Sequence, residues 1–145
     1  MNPTKGVPAS IGVAILVCLA ACASVESAKR SDALESSLRQ YGIAIRWGHY
    51  DAAVQFMRPR DKVIETTGSG SLNDIRVTSY DVVEQGLSDD QTEARLTVAI
   101  SFYHVESGIV HRLKDQQVWW YDEDSKQWFL DGDLPDFVGA LNAER

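Results

Sequence analysis

Residues Thr92 to Val105 read TEARLTVAISFYHV. Ala94, Leu96, Val98, Ile100 and Phe102 fall on one side of an alternating pattern, and Arg95, Thr97, Ala99, Ser101 and Tyr103 fall on the other. Side chains of a strand point to opposite faces in turn, so this is a strand with one buried face. The flanking segments have the same character. IRVTSYDVVEQ, Ile75 to Gln85, is rich in β-branched residues and is separated from this strand by LSDD. ESG leads on to IVHRLKDQQVWWY, Ile109 to Tyr121, and DEDSK leads to QWFLD, Gln127 to Asp131. Short polar connections between alternating runs predict an antiparallel meander of four strands. DGDLP ends it, and a short C-terminal tail follows.

Upstream the period is helical. Ser31 or Asp32 can cap a helix, with Glu35 three residues after Asp32 as in a capping box. Leu34, Leu38, Tyr41 and Ile45 then form one stripe along SDALESSLRQYGIAIRW. Gly48 breaks this helix. A second, shorter helix is expected over Tyr50 to Met57, closed by Pro59. TTGSGSLND, Thr66 to Asp74, has the composition of a loop. Helices followed by an antiparallel sheet are an α+β order, and burying the helix stripe on the apolar sheet face completes a core.

This layout resembles the cystatin-like and nuclear-transport-factor-2-like superfamily, in which a curved sheet wraps a helix. The likeness spans about Ser31 to Pro135. It rests on the helix-Gly-helix start RWGHYDAAVQFMRP, the long strands, and the closing hairpin QVWWYDEDSKQWFLDGDLP. It implies a cone-shaped pocket between helix and sheet, which in enzymes of the superfamily carries an Asp, His or Tyr from the inner strand faces. Arg60 to Asn73 leaves little room for a full strand and a third helix, so a reduced version is expected.

The N-terminus speaks to location. Lys5 and the amine of Met1 precede an apolar run from about Val7 to Ala21, shorter than the roughly 20 apolar residues of a membrane-spanning helix and interrupted by Pro8, Ser10 and Gly12. A positive start, a short apolar middle and small residues at the end describe a secretory signal peptide. Leu19-Ala20-Ala21-Cys22 resembles the bacterial lipobox. That resemblance implies diacylglyceryl transfer to the Cys22 thiol, cleavage before Cys22, and acylation of the new amine. Two or more acyl chains make a stable anchor. Ala23, where Asp would favour inner-membrane retention, implies the periplasmic face of the outer membrane. The expected organisation is therefore a signal peptide at 1–21, a lipidated Cys and tether at 22–30, and one α+β domain at 31–145. The tether ASVESAKR, Ala23 to Arg30, reaches roughly 28 Å if fully extended at about 3.5 Å per residue.

Removing residues 1–21 leaves 124 residues, one domain's worth of chain. They carry 13 Lys and Arg against 21 Asp and Glu, a formal charge of −8. Such a domain is repelled by phosphate backbones and anionic headgroups, which argues against nucleic acid as a partner. Cys18 leaves with the signal peptide and Cys22 is consumed by lipid, so no disulfide is expected.

No strong catalytic motif is present. His104 lies in phase with the apolar face of its strand, at its end; His49 sits at the helix break; Tyr103 and Asp115 lie along strands. A general base needs a perturbed pKa and a partner within hydrogen-bond reach, so His104 is only a weak catalytic candidate, and Tyr103, His104 and Asp115 are read as pocket residues. Trp119, Trp120 and Trp128 belong to the densest aromatic cluster. Alternation places Trp119 and Trp120 on opposite faces, one in the core and the other a candidate binding surface. The acidic runs Asp89-Asp90, Asp122-Glu123-Asp124 and Asp131-Gly132-Asp133 lack calcium-loop spacing. No Cys or His pair has zinc spacing, and Gly68 to Gly70 lacks the Lys and helix of a phosphate loop. The expectation is a non-enzymatic binding or accessory lipoprotein, without metal or cofactor, serving an envelope protein. The alternative is a pocket protein that binds or converts a small apolar ligand. The pocket reading requires small inward residues and a polar group at the floor; the interaction reading requires an exposed apolar patch.

Overall fold

The computed structural model describes residues 10–61 and 72–143, with side chains from Val25 onward in the first helix. The positive start at Met1 and Lys5 and most of the predicted loop Thr66 to Asp74 lie outside these residues. Helix α1 spans Ser10–Arg46 and α2 spans Tyr50–Val54. Strands β1 (Ile75–Leu87), β2 (Glu93–His104), β3 (Val110–Asp122) and β4 (Gln127–Leu130) follow, then helix α3 (Phe137–Ala143). The fold is α+β: the helices pack on one face of a four-stranded antiparallel sheet of order β1-β2-β3-β4.

The predicted strands agree with these to within two residues at each end. The apolar face of β2 is the floor of the core, with Ala94, Val98 and Phe102 fully buried. Its neighbours in register complete cross-strand rows: Tyr80-Ile100-Leu113, Val82-Val98-Asp115 and Gln85-Leu96-Gln117. The helix stripe is also as read. Leu34, Tyr41 and Ile45 are buried against the sheet, and Leu38 packs on the same cluster.

Three elements differ from the sequence reading. The first helix does not begin at Ser31 or Asp32; it runs unbroken through the tether residues. Between Gly12 and Gly42 the chain has neither Gly nor Pro, and Ala, Glu, Lys and Arg are good helix formers. The segment 23–30 is thus helical rather than extended, and its end is docked. The Arg30 carbonyl accepts from Trp128 Nε1 at 2.9 Å, and the Arg30 guanidinium lies 4.6 Å from the Tyr121 ring centroid. Ser27 Oγ donates to Gln91 at 2.6 Å. Second, α2 ends at Val54 because residues 56–58 leave it to run along β4, where Arg58 N–H donates to the Leu130 carbonyl and Leu130 N–H to that of Phe56. Third, the presumed tail forms α3. Asp136 caps it, accepting from Gly139 N–H at 2.8 Å, and Phe137 is fully buried against Phe102 and Tyr50. The break at Gly48 is real: its φ of 70° is a left-handed turn that glycine adopts without strain.

The two edges of the sheet are managed differently. The β4 edge is covered by residues 56–58. The β1 edge is open, and two register shifts, at Val77/Ser79 and Val82/Glu84, bend its far half away. Val82, Val83 and Leu87 stay exposed there. Among the described residues no helix is long and apolar enough to cross a membrane.

Candidate functional site

β3 sends Leu113, Asp115, Gln117 and Trp119 to the inner face, so two polar residues interrupt an otherwise apolar row. Gln117 is 3% exposed and its amide is fully used. Nε2 donates to Tyr80 Oη at 3.0 Å and to Asp115 Oδ2 at 2.8 Å, while Oε1 accepts from Trp119 Nε1 at 3.0 Å. Tyr41 lies above them on α1, its ring edge-on to Trp119 at 5.4 Å and to Tyr80 at 6.5 Å. The Tyr41 hydroxyl is buried with no hydrogen-bond partner among the described residues.

Electrostatics follow from burial. Desolvation raises the Asp115 carboxyl above its ordinary value, and the Gln117 hydrogen bond offsets part of that. Burial raises the Tyr80 phenol, and burial together with Tyr80 and Asp115 raises Tyr41 well above its ordinary value. Both tyrosines are therefore neutral hydrogen-bond donors across the physiological range. Tyr80 accepts from Gln117 and keeps its own proton to give.

Tyr80 stands where this network reaches solvent. A groove of about 520 Å³ separates α1 from the bent half of β1. Leu34, Leu38 and Ile43 line it from α1 and Val82 and Leu87 from β1, with Tyr80 and Gly42, and the polar Glu35, Arg39, Arg46 and Gln85 line it too. A Cβ on Gly42 would sit 3.0 Å from the Tyr80 ring, so glycine is what lets helix and ring approach this closely.

The residues singled out in the sequence do not assemble as expected. Asp115 pairs with Val98 in register, whereas His104 is six residues further along β2, about 20 Å away at about 3.4 Å per residue. His104 is a partly buried rim residue whose Nδ1 accepts from Glu106 N–H at 3.3 Å. Tyr103 points to the outer face, away from Asp115. The pocket set Tyr103, His104 and Asp115 is therefore three separate places, because strand length exceeds side-chain reach. His49 is exposed at the start of α2. Trp119 and Trp128 are core residues, 0% and 2% exposed, and offer no surface. Trp120 is the outward one, but Arg58 and Arg60 cover it: its Nε1 donates to the Arg58 carbonyl at 3.0 Å, and the Arg60 guanidinium lies 5.9 Å from its ring. Among the described residues no group of three or more His, Cys, Asp or Glu could hold a metal ion. Gln117, Tyr80 and Tyr41 were missed. The signal was available: Asp115 and Gln117 share their period-two phase with Leu113 and Trp119.

No family model matches the sequence, and no curated relative does. The solved structure of the Mycobacterium tuberculosis protein RV0760c aligns with 70% of this chain and 91% of its own, at a TM-score of 0.45 and 10% identity. A superposition that loose establishes neither a family nor an activity.

Proposed function

We propose that this chain is a lipid-anchored binding domain, held through Cys22 at the periplasmic face of a bacterial outer membrane, that takes a small apolar molecule into the groove between α1 and β1. On this reading residues 1–21 are a signal peptide and the mature domain is a reduced member of the cystatin-like and nuclear-transport-factor-2-like class. The observation that carries the binding reading is Tyr80, its hydroxyl backed by Gln117 and Asp115, in a groove whose walls include Leu34, Leu38, Ile43, Val82 and Leu87. It favours the pocket over the exposed-tryptophan surface, since Trp119 and Trp128 are buried. Binding is preferred to catalysis because Asp115, the one inner carboxyl with a raised pKa, is occupied by Gln117 and does not line the groove.

The helical form of residues 23–30 adds a geometric consequence. Cys22 to Arg30 rises about 12 Å at about 1.5 Å per residue. The Ser31 and Leu87 end of the groove is then the end nearer the lipid, which suits a ligand that partitions into the bilayer.

Two measurements test this. Replacing Cys22→Ser should abolish palmitate labelling and leave an uncleaved precursor; a normally processed, membrane-bound variant would remove the anchor from the reading. For the groove, the full-length protein in phosphatidylcholine nanodiscs is dialysed against 2-naphthol, with empty nanodiscs as the blank. Saturable binding is expected, lost in Val82→Asp and weakened in Tyr80→Phe. Equal binding by all three proteins would place the ligand elsewhere.

A further inference from the structure

A second cleft, of about 580 Å³, lies at the other end of the β1 edge, where α1 turns into α2. It shares only Arg46 with the groove described above. Arg46 and Trp47 come from the end of α1, Tyr50 from α2, Arg76 from β1 and Tyr103 from β2.

This cleft gathers two arginines in an acidic domain. Acidic residues are in excess, and Arg30, Arg58, Arg60 and Arg95 are each ion-paired. Arg46 and Arg76 make no ion pair with another described residue, yet the fold brings both to one cleft. Arg76 is held in place: its Nη1 donates to the carbonyls of Asn73 and Ile75 at 2.6 and 3.0 Å. Its remaining guanidinium donors meet no protein acceptor among the described residues. Arg46 sits in the last turn of α1, where a cation complements the negative helix end while its head stays free.

Two further features point to an occupant. Tyr50 is only 5% exposed, and its hydroxyl has no hydrogen-bond partner among the described residues. A buried hydroxyl without a partner costs free energy, and a ligand oxygen would supply one. Trp47 is 70% exposed, the most exposed large apolar side chain among the described residues. Its indole lines the same cleft as the two arginines.

We propose that this cleft binds an aromatic carboxylate. The carboxylate lies between the Arg46 and Arg76 guanidinium groups, whose planar donor pairs match its two oxygens. The Tyr50 hydroxyl donates to it, and the ring stacks on the exposed Trp47 indole. A small inorganic anion would leave Trp47 uncovered, and a neutral ring would leave both arginines unpaired, so the two features together select a molecule that carries both.

The proposal is independent of the α1–β1 groove and is tested with a different probe. The full-length protein in phosphatidylcholine nanodiscs is dialysed against radiolabelled benzoate, with benzyl alcohol and inorganic phosphate as competitors. Benzoate should bind saturably, with at least tenfold weaker competition from either. Arg46→Gln and Trp47→Ala, both at exposed positions, should each weaken binding about tenfold, whereas Arg95→Gln, which makes the same charge change elsewhere, should not. Tyr50→Phe should weaken binding several-fold without lowering the unfolding midpoint. Phosphate competing as well as benzoate, equal loss in Arg95→Gln, unchanged affinity in Tyr50→Phe, or no saturable binding would each overturn the assignment.

Discussion

The Gln117 side-chain amide reaches from β3 across β2 to the Tyr80 hydroxyl on β1, a 3.0 Å hydrogen bond under helix α1. The same amide holds the Asp115 carboxylate and the Trp119 indole. One side chain thus orients the only inner carboxyl of β3, the largest core residue and the Tyr80 hydroxyl. β1 is an edge strand with an open outer side, so this bond also fixes where that edge sits relative to the core.

Gln117→Leu keeps the volume and removes every one of these partners. Three polar groups are left without their hydrogen bond, two of them deeply placed, and the expected cost is about 2–3 kcal/mol. Urea denaturation followed by near-ultraviolet circular dichroism should show a lower midpoint with an unchanged slope. A midpoint equal to that of the unsubstituted protein would mean that the network is not maintained in solution.

Asp115 gives the fold a definite pH dependence. Burial raises its pKa in the folded state above the ordinary 3.8, so the folded state holds this proton more tightly than the unfolded state does. The associated stability is complete below the ordinary carboxylate range and is lost as pH rises through the raised value. Asp115→Asn removes that loss. The variant should match the parent in melting temperature at acid pH and exceed it at neutral pH. A variant less stable than the parent at neutral pH would show that the carboxylate is favoured where it lies.

Strand phase made the sheet legible. Alternation through Ala94, Leu96, Val98, Ile100 and Phe102 located the inner face, and the stripe Leu34, Tyr41, Ile45 located the helix that covers it. The polar site was legible in principle, because Asp115 and Gln117 hold inward phase, but which inward residues touch depends on register across strands. Register separates Asp115 from His104 and brings Gln117 to Tyr80 instead. The exposure of Trp47 is not legible in the sequence, because exposure depends on what packs above a residue and not on its neighbours in the chain. Residues 23–30 and 137–143 were misread for another reason. ASVESAKR at 23–30 and FVGALNA at 137–143 are each too short to be helical alone; each becomes helical when a neighbouring helix or a packing surface supports it, and neither support is visible in local composition.

Phe137 tests the status of α3. It is fully buried, with its ring 4.9 Å from Phe102 and 6.3 Å from Tyr50. A dispensable tail would tolerate its loss, whereas removing a core aromatic costs about 3–5 kcal/mol. Phe137→Ala should fall in that range. Asp136→Ala, which deletes only the helix cap, should cost about 1 kcal/mol. Two variants of equal and negligible effect would return this segment to a surface tail.

Arg30 tests the docking of the first helix. Its carbonyl is held by Trp128, its guanidinium rests on Tyr121 and pairs with Glu123 at 2.8 Å, and Lys126 reaches Glu26 at 3.8 Å one turn earlier. The last two contacts are with exposed carboxylates and weaken with salt; the stacked ring and the indole hydrogen bond do not depend on it in the same way. Native-state hydrogen exchange should therefore find slow amides from about residue 27 onward, and slow amides at both low and moderate salt. Arg30→Ala should accelerate residues 27–34 by about tenfold, the equivalent of about 1.4 kcal/mol of local stability, while β2 exchanges as before. Fast exchange through Ser31 in the unsubstituted protein would restore the extended tether. The domain's reach from Cys22 would then be set by chain extension rather than by helix rise.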